Sequence, residues 1–578
     1  MWNKTLLRGA LIALTSAGLL VACNKDSASD DFAAGDGILR FVPADTPYLF
    51  ASGEPLPDDV LDKFEPKVDD LLQAYQVVLR ELVRTMLAKN DSDMDADEIQ
   101  RVSAVVDELV TLLSIEGLRG AGIERDSAVA FYGNGLLPVL RFELSDAARF
   151  EAAIARIEEA AGEKLELATV DGHSYRVVGD DEGKLAIATI DNNAIFTFIP
   201  ANFDEAATKS LLGLTPPAGS IADTDTLSDI AATYDYSDHY IGFIDVRRIA
   251  STFIDGPAGL DVPLLASSEF DASRISDVCK REIRDVVNVA PRAVFGYDEI
   301  DTDRMSGSFV IELRPDIATG LSSIAAEVPG LGRDAGGLLS MGVSFNLLAL
   351  REFYEARLDA METDPFECEY FADLQAGVAK GREALNQPVP PFVYGLRGFN
   401  AVVDDVTGFD LANEQPPESV DASVLLALDD AQTMLAMGAM FSPELAQLNL
   451  QPDGNPVRVE LPQLAALGQV VYAAMLEDAI AVSVGADAES RVKAVLTAAS
   501  VAPPPVFSMS MDAGRYYSLI ADGMMLEDDD EEVRLSPEGR AALRDAMLAI
   551  GDLYDRMSFD IRFTDRGLEM DSVVTLKD

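Results

Sequence analysis

Hydrolysis by a serine triad needs a histidine base beside the nucleophile, and this chain has two histidines in 578 residues. His173 lies in a Gly-His-Ser turn and His239 in a Ser-Asp-His-Tyr segment before a strand, both reading as turn or surface positions. Ser340 sits in Leu-Leu-Ser-Met-Gly, without the first glycine of a nucleophile elbow. One histidine at a time cannot make a typical zinc site, and no HExxH occurs. Asp91, Asp93 and Asp95 match the first ligand positions of an EF-hand loop. Ala96 replaces its sharp-turn glycine and Val102 its bidentate glutamate. The run Glu527 to Glu532 reads as a self-repelling exposed loop. Gly179 to Leu185 is one residue short of a phosphate loop and lacks the magnesium-holding hydroxyl. Gly330 to Ala335 spells GxGxxA after Pro329, without the strand–turn–helix that motif needs. No nucleotide, metal or other cofactor is expected. A carboxylate pair could still be drawn from 99 acids, although the only tryptophan, Trp2, leaves no sugar-stacking platform.

The three cysteines carry more. Leu20-Val21-Ala22-Cys23 closes a short apolar run behind Lys4 and Arg8. Gly9 to Leu19 is too short to span a bilayer. The arrangement resembles the lipobox of bacterial lipoprotein precursors, residue for residue over 20–23. That resemblance implies cleavage by signal peptidase II, diacylglycerol on the Cys23 thiol and a further acyl chain, such as palmitate, on its amine. Residues 1–22 are then a signal peptide. Several acyl chains, each contributing ~0.8 kcal/mol per buried CH₂, hold a protein where one would not. Asn24 follows, where the family's inner-membrane retention signal has Asp, which favours the periplasmic face of the outer membrane. Residues 23–37 read as a lipidated flexible tether. The remainder resembles only uncharacterised proteobacterial envelope proteins, a likeness that implies no function.

Cys279 and Cys368 remain, an even number in an oxidising compartment. They are expected to pair, and a loop of about 90 residues is worth ~4–5 kcal/mol in chain entropy. The net charge of −54 repels nucleic acid and bare anionic headgroups. A protein partner that it attracts would be basic.

Several segments recur in order. Residues 140–147 match 424–431, with Asp146 opposite Asp430. Residues 194–212 match 479–497 without a gap. Residues 240–253 match 507–520, with Asp245 and Asp512 as helix N-caps, and 302–313 matches 564–576. The spacing predicts two related halves, 38–315 and 338–578, joined by a linker at 316–337. The paired cysteines would then staple one half to the other. Alternating strands over 127–132 and 138–144, with Asn134-Gly135 between them, predict an antiparallel hairpin. Apolar stripes over 66–89 and 97–115 predict a helical hairpin inserted in the first half. The fold class is therefore α+β, mainly antiparallel sheet with packed helices. The expected role is a membrane-anchored, non-catalytic binding or scaffold protein. A carrier or sensor of a hydrophobic ligand, held between hairpin and sheet, is the alternative, and a carboxylate-dependent hydrolase is the weakest reading.

Overall fold

A computed structural model describes residues 37–89, 96–266, 270–408, 417–441, 445, 448–459, 469–523 and 536–577. Cys23, Asp91, Asp93, Asp95 and the acidic run 527–532 lie outside them. The fold is α+β. Two compact units form. One comprises Met1–Ile275, Arg292–Gly307 and Glu527–Leu553, and the other Ser276–Pro291, Ser308–Leu526 and Tyr554–Asp578.

The first sequence half begins with β1 (Tyr48–Ser52), α1 (Asp58–Lys89), α2 (Ala96–Leu112) and α3 (Ile115–Gly120). Then come β2 (Val129–Asn134), β3 (Leu137–Glu143), α4 (Ala147–Ala161), β4 (Glu166–Val170), β5 (His173–Gly179), β6 (Gly183–Ile190) and β7 (Asn193–Pro200). Next are α5 (Glu205–Leu211), α6 (Thr226–Tyr234), β8 (Tyr240–Asp245), α7 (Val246–Ile254) and α8 (Asp261–Ala266). The half ends with α9 (Asp277–Val287), β9 (Arg292–Ile300), β10 (Arg304–Glu312) and α10 (Pro315–Ser322).

The second half opens the same way, with β11 (Leu339–Ser344), α11 (Leu347–Thr363), α12 (Ala372–Leu385), β12 (Leu396–Thr407), β13 (Ser419–Leu428) and α13 (Ala431–Phe441). It continues with β14 (Val457–Arg458), β15 (Val471–Met475), β16 (Ala479–Val484), α14 (Ala488–Leu496), β17 (Phe507–Asp512) and α15 (Ala513–Gly523). Last are α16 (Pro537–Leu553), β18 (Tyr554–Phe563) and β19 (Gly567–Leu576).

The first unit's strands run β4-β5-β6-β7-β3-β2-β1-β8-β9, antiparallel throughout. The second unit's run β14-β15-β16-β13-β12-β11-β17-β18-β19, also antiparallel. From β6 and β15 onward the two orders correspond strand for strand. A helix pair follows the first strand in both, so the hairpin belongs to the common plan and is no addition to the first half. The caps recur too. Asp245 accepts from the Arg247 and Arg248 amides at 3.0 and 3.1 Å, and Asp512 from the Arg515 amide at 2.9 Å. Asp146 accepts from the Ala148 amide at 2.9 Å and Asp430 from that of Thr433 at 2.9 Å. Each fills a donor the first helical turn leaves open.

The β2–β3 turn differs by one position from the Asn134-Gly135 reading. Asn134 pairs with Leu137, so the turn is Gly135-Leu136, with Gly135 at φ 60°. The Asp261 carboxylate accepts the Leu136 amide at 2.7 Å and fixes that choice.

The first unit's main core lies between its sheet and two helices. Val105, Leu109 and Leu112 of α2 and Phe150, Ile154 and Ile157 of α4 close on Leu140, Phe142 and Phe196. Phe150 meets Phe142 edge-on at 5.9 Å. The α1–α2 hairpin is antiparallel, with Arg80 on Asp107 at 3.1 Å and the Gln76 amide donating to the Leu113 carbonyl at 2.7 Å.

Two equivalent segments are traded between the units. α9, from the first half, belongs to the second unit, and α16, from the second half, belongs to the first. α16 lies antiparallel along α1, where Ser536 donates to Glu81 and Glu538 faces Arg84 at 3.8 Å. The Cys279–Cys368 disulfide, with S–S 2.08 Å, therefore ties α9 to the α11–α12 loop inside the second unit. It does not staple one unit to the other. Glu282, one turn along α9, accepts the amides of Glu367 and Cys368 at 3.0 Å each.

Candidate binding face

In a strand, alternate side chains leave by opposite faces. The second unit divides its residues unusually. One face of its sheet carries Ser340, Ser344, Ser423, Ser483, Ser508, Ser510, Asn400, Gly342 and Gly398 beside Val402, Leu425, Ala427 and Ala481, and this face is buried, in part under Val328, Leu331, Val492 and Leu496. Its groups are satisfied locally. Ser423 and Ser483 share a hydrogen bond of 2.7 Å, Ser344 donates to the Pro505 carbonyl at 2.7 Å, and Asn400 donates to the Pro329 carbonyl at 3.3 Å. Arg556 donates from Nε to Ser510 Oγ at 3.1 Å and from Nη1 to the Gly337 carbonyl at 3.0 Å. Small residues are needed because the cover is close. A Cβ on Gly342 would meet Leu331 at 2.8 Å and the Phe399 carbonyl at 2.3 Å.

Val402 and Leu425 apart, the large apolar residues of the central strands β11, β12, β13 and β17 leave by the other face. Strand register lines them up in three rows. The central row reads Ala473, Val482, Val424, Ala401, Met341, Met509, Phe559, Ser572. One flanking row reads Met475, Ile480, Leu426, Phe399, Val343, Phe507, Ile561, Met570. The other reads Val471, Val484, Ala422, Val403, Leu339, Met511, Met557, Val574. Only Ser572 is polar. Eight strands at ~4.8 Å and three alternate positions at ~6.8 Å make a patch of roughly 500 Å² of sheet.

This apolar face is the more open of the two. Val424 is 50% exposed, Val482 41% and Met341 38%, and most of the remainder are half-buried. Cover is complete at the β15 end, where Leu450 and Val459 pack with Val471, Ala473 and Met475, and at Met511 on β17. Leaving such side chains in water forgoes ~25 cal/mol per Å². The largest exposed apolar patch of a typical monomer, ~300–600 Å², is often functional.

The first unit shows what closes such a face. Its equivalent row is Ile187, Phe196, Leu140, Phe131, Phe50, Gly242, Phe295. There α2 buries Val102, Val105, Leu109, Val110 and Leu112, most of them against that face and α4. In the second unit's helix pair, α11 buries no residue and α12 only Val378.

Carboxylates sit at the strand ends. Burial pushes the Asp404 carboxyl up and Asp421 adds to this, against Arg491 and Arg515. Asp405 pairs with Arg515, Asp421 with Arg491 at 3.3 Å, and Asp429 with Arg397.

The chemical motifs do not assemble. His173 opens β5 with Nδ1 3.2 Å from the Asp171 carbonyl, and His239 Nδ1 lies 3.2 Å from the Glu54 carbonyl. Ser340 is buried on the polar face of β11. Gly179 and Gly183 bracket the β5–β6 hairpin, and Gly330 to Ala335 leads into β11 with no helix. Among the described residues no group of three potential ligands could hold a metal. None of their helices is long and apolar enough to cross a membrane. A groove of about 380 Å³ beside α1 and α3 is lined by Asp62, Glu65, Asp69 and Glu116. Arg119 and Arg125 pair with Glu65, and Arg125 also with Asp62 at 2.7 Å. No protein-family model, curated protein or solved structure matches this chain.

The open face escaped the sequence reading, which placed the candidate groove at 66–115. The signal was present. Over 339–344 and 507–511, serine or glycine alternates with Leu, Met, Val or Phe, and only the choice of which parity is buried was missing.

Proposed function

We propose that this chain is a lipid-tethered envelope protein that binds without catalysing, seating its ligand on the open apolar face of the second unit's sheet. One observation carries the reading: Met341, Ala401, Val424 and Val482 are neighbours across four strands, and three of the four are exposed. Lipidation at Cys23 would hold this face beside a membrane.

Placing a photo-crosslinking residue at 424 or 482 in the full chain tests it. Adducts are expected at both positions and not at Asp181, an exposed turn residue of the first unit. Equal, background-level labelling at all three would sink the reading. Cys23→Ala is expected to release the protein into the soluble fraction, and membrane retention by that variant would refute the tether.

A further inference from the structure

We infer that the occupant of this face is hydrocarbon, namely the acyl chains of a neutral or zwitterionic lipid. This rests on the proposed binding face and specifies its ligand. Protein–protein interfaces carry about one hydrogen bond per 100–200 Å². A protein covering roughly 500 Å² would therefore look for about three to five hydrogen bonds. The three rows offer only the Ser572 hydroxyl, at one margin.

The backbone offers nothing further. β16, β13, β12, β11, β17 and β18 each pair on both sides, so no free strand edge borders the central row. An extended peptide laid across it would bury its own N–H and C=O groups without partners. An amphipathic helix satisfies its backbone but brings charged flanks. Asp405, Asp421 and Asp429 at the strand ends are already held by Arg515, Arg491 and Arg397. Hydrocarbon needs neither kind of partner.

The side chains suit a ligand of variable shape. Met341, Met509, Met511, Met557, Met570 and Met475 all lie in the rows. Methionine is unbranched and polarisable, and repacks around irregular contacts at little cost. The headgroup follows from charge. At −54 the chain repels anionic lipid, which leaves neutral and zwitterionic ones.

The test uses the full-length lipidated protein in phosphatidylcholine vesicles containing phosphatidylcholine with a diazirine-bearing acyl chain. After irradiation, adducts are mapped by mass spectrometry. Labelling is expected at Met341, Val424 and Val482. It should fall at least tenfold in the Val424→Asp, Val482→Asp double variant, whose thermal midpoint should stay near that of the parent because both side chains are exposed. Should the double variant misfold, Val424→Thr is expected to give a smaller loss in the same direction. Labelling of these residues no greater than that of the Asp181 turn overturns the inference. If position 424 then crosslinks to a protein in cells, the binding face stands and only its ligand class falls. If it crosslinks to nothing, both fall.

Discussion

Arg141 is a charge buried without a carboxylate partner in any ion pair of the described structure. It lies on β3, fully buried, with Nη2 donating to the Leu212 carbonyl at 2.9 Å and its guanidinium 3.8 Å above the Phe41 ring. Its Nε and Nη1 have no hydrogen-bond partner. Burial pushes its pKa down, against the neighbouring Tyr132 hydroxyl. Replacing a buried ion by an apolar side chain of similar volume is often stabilising by ~1–4 kcal/mol. Arg141→Met is therefore expected to raise the urea midpoint. A fall would mean that the Leu212 and Phe41 contacts outweigh the desolvation. Glu569 makes the opposite case. Burial pushes its carboxyl up, but bonds from Arg566, at 2.8 Å to each oxygen, and from Thr564 outweigh it and the pKa falls. A depressed folded pKa stabilises above the unfolded value, ~4.3. The stability is lost as pH drops through the lower folded value. Glu569→Gln should cost ~1–3 kcal/mol at pH 7. In urea melts repeated toward pH 2 the two proteins should converge, and a constant gap would refute the linkage. Residues of this kind were unevenly legible. Asp146, Asp245 and Asp512 could be read as caps because a cap is local, whereas Arg141 looks like any strand arginine until its cover is known.

At the scale of elements, the disulfide matters through what it holds. α9 has an amphipathic pattern but buries only Cys279 and Glu282, so the bond and the Glu282 carboxylate carry its attachment to the α11–α12 loop. A closed loop of this length is worth ~4–5 kcal/mol in chain entropy. Cys279→Ser with Cys368→Ser is expected to lower the midpoint of the second unit and to speed amide exchange over 277–287 and 364–371. Unchanged exchange there would assign the attachment to packing instead. The pairing was legible from the even number of cysteines left beside Cys23 and the expected compartment, but its location was not, because α9 is sequence-adjacent to one unit and belongs to the other. Helices show the same limit. Residues 66–115 announce a hairpin through two dense apolar stripes, while in the second helix pair only α11 carries one, Leu347, Leu350, Tyr354, Leu358 and Met361. Strand parity set a further limit. The ungapped match of 194–212 to 479–497 puts Phe196 opposite Ala481, yet sheet register pairs Leu140 with Phe196 and Val424 with Val482. One residue of slip sends a side chain to the other face.

The whole molecule carries a duplication and a trade. The recurring segments pointed to the first and could not point to the second. α9 and α16 stand at the same place in their repeats, each just before a strand pair, so local sequence is the same whichever unit receives the helix. The trade predicts that residues 38–307 expressed alone will be poorly folded, because α1 then lacks α16 while β8 keeps β9. Supplying residues 524–553 as a separate peptide should raise the helical signal and the melting cooperativity of that fragment. A fragment that melts cooperatively without the peptide would mean that α16 is dispensable.

The same trade sets a clock on biosynthesis. α1 ends at Lys89 and its partner helix begins at Pro537. At ~5–20 residues per second, the ~450 intervening residues take the ribosome about 20–90 s to make. For that interval the N-terminal unit exists without its last helix, and a chaperone able to shield the waiting side of α1 would have its opportunity then and not later.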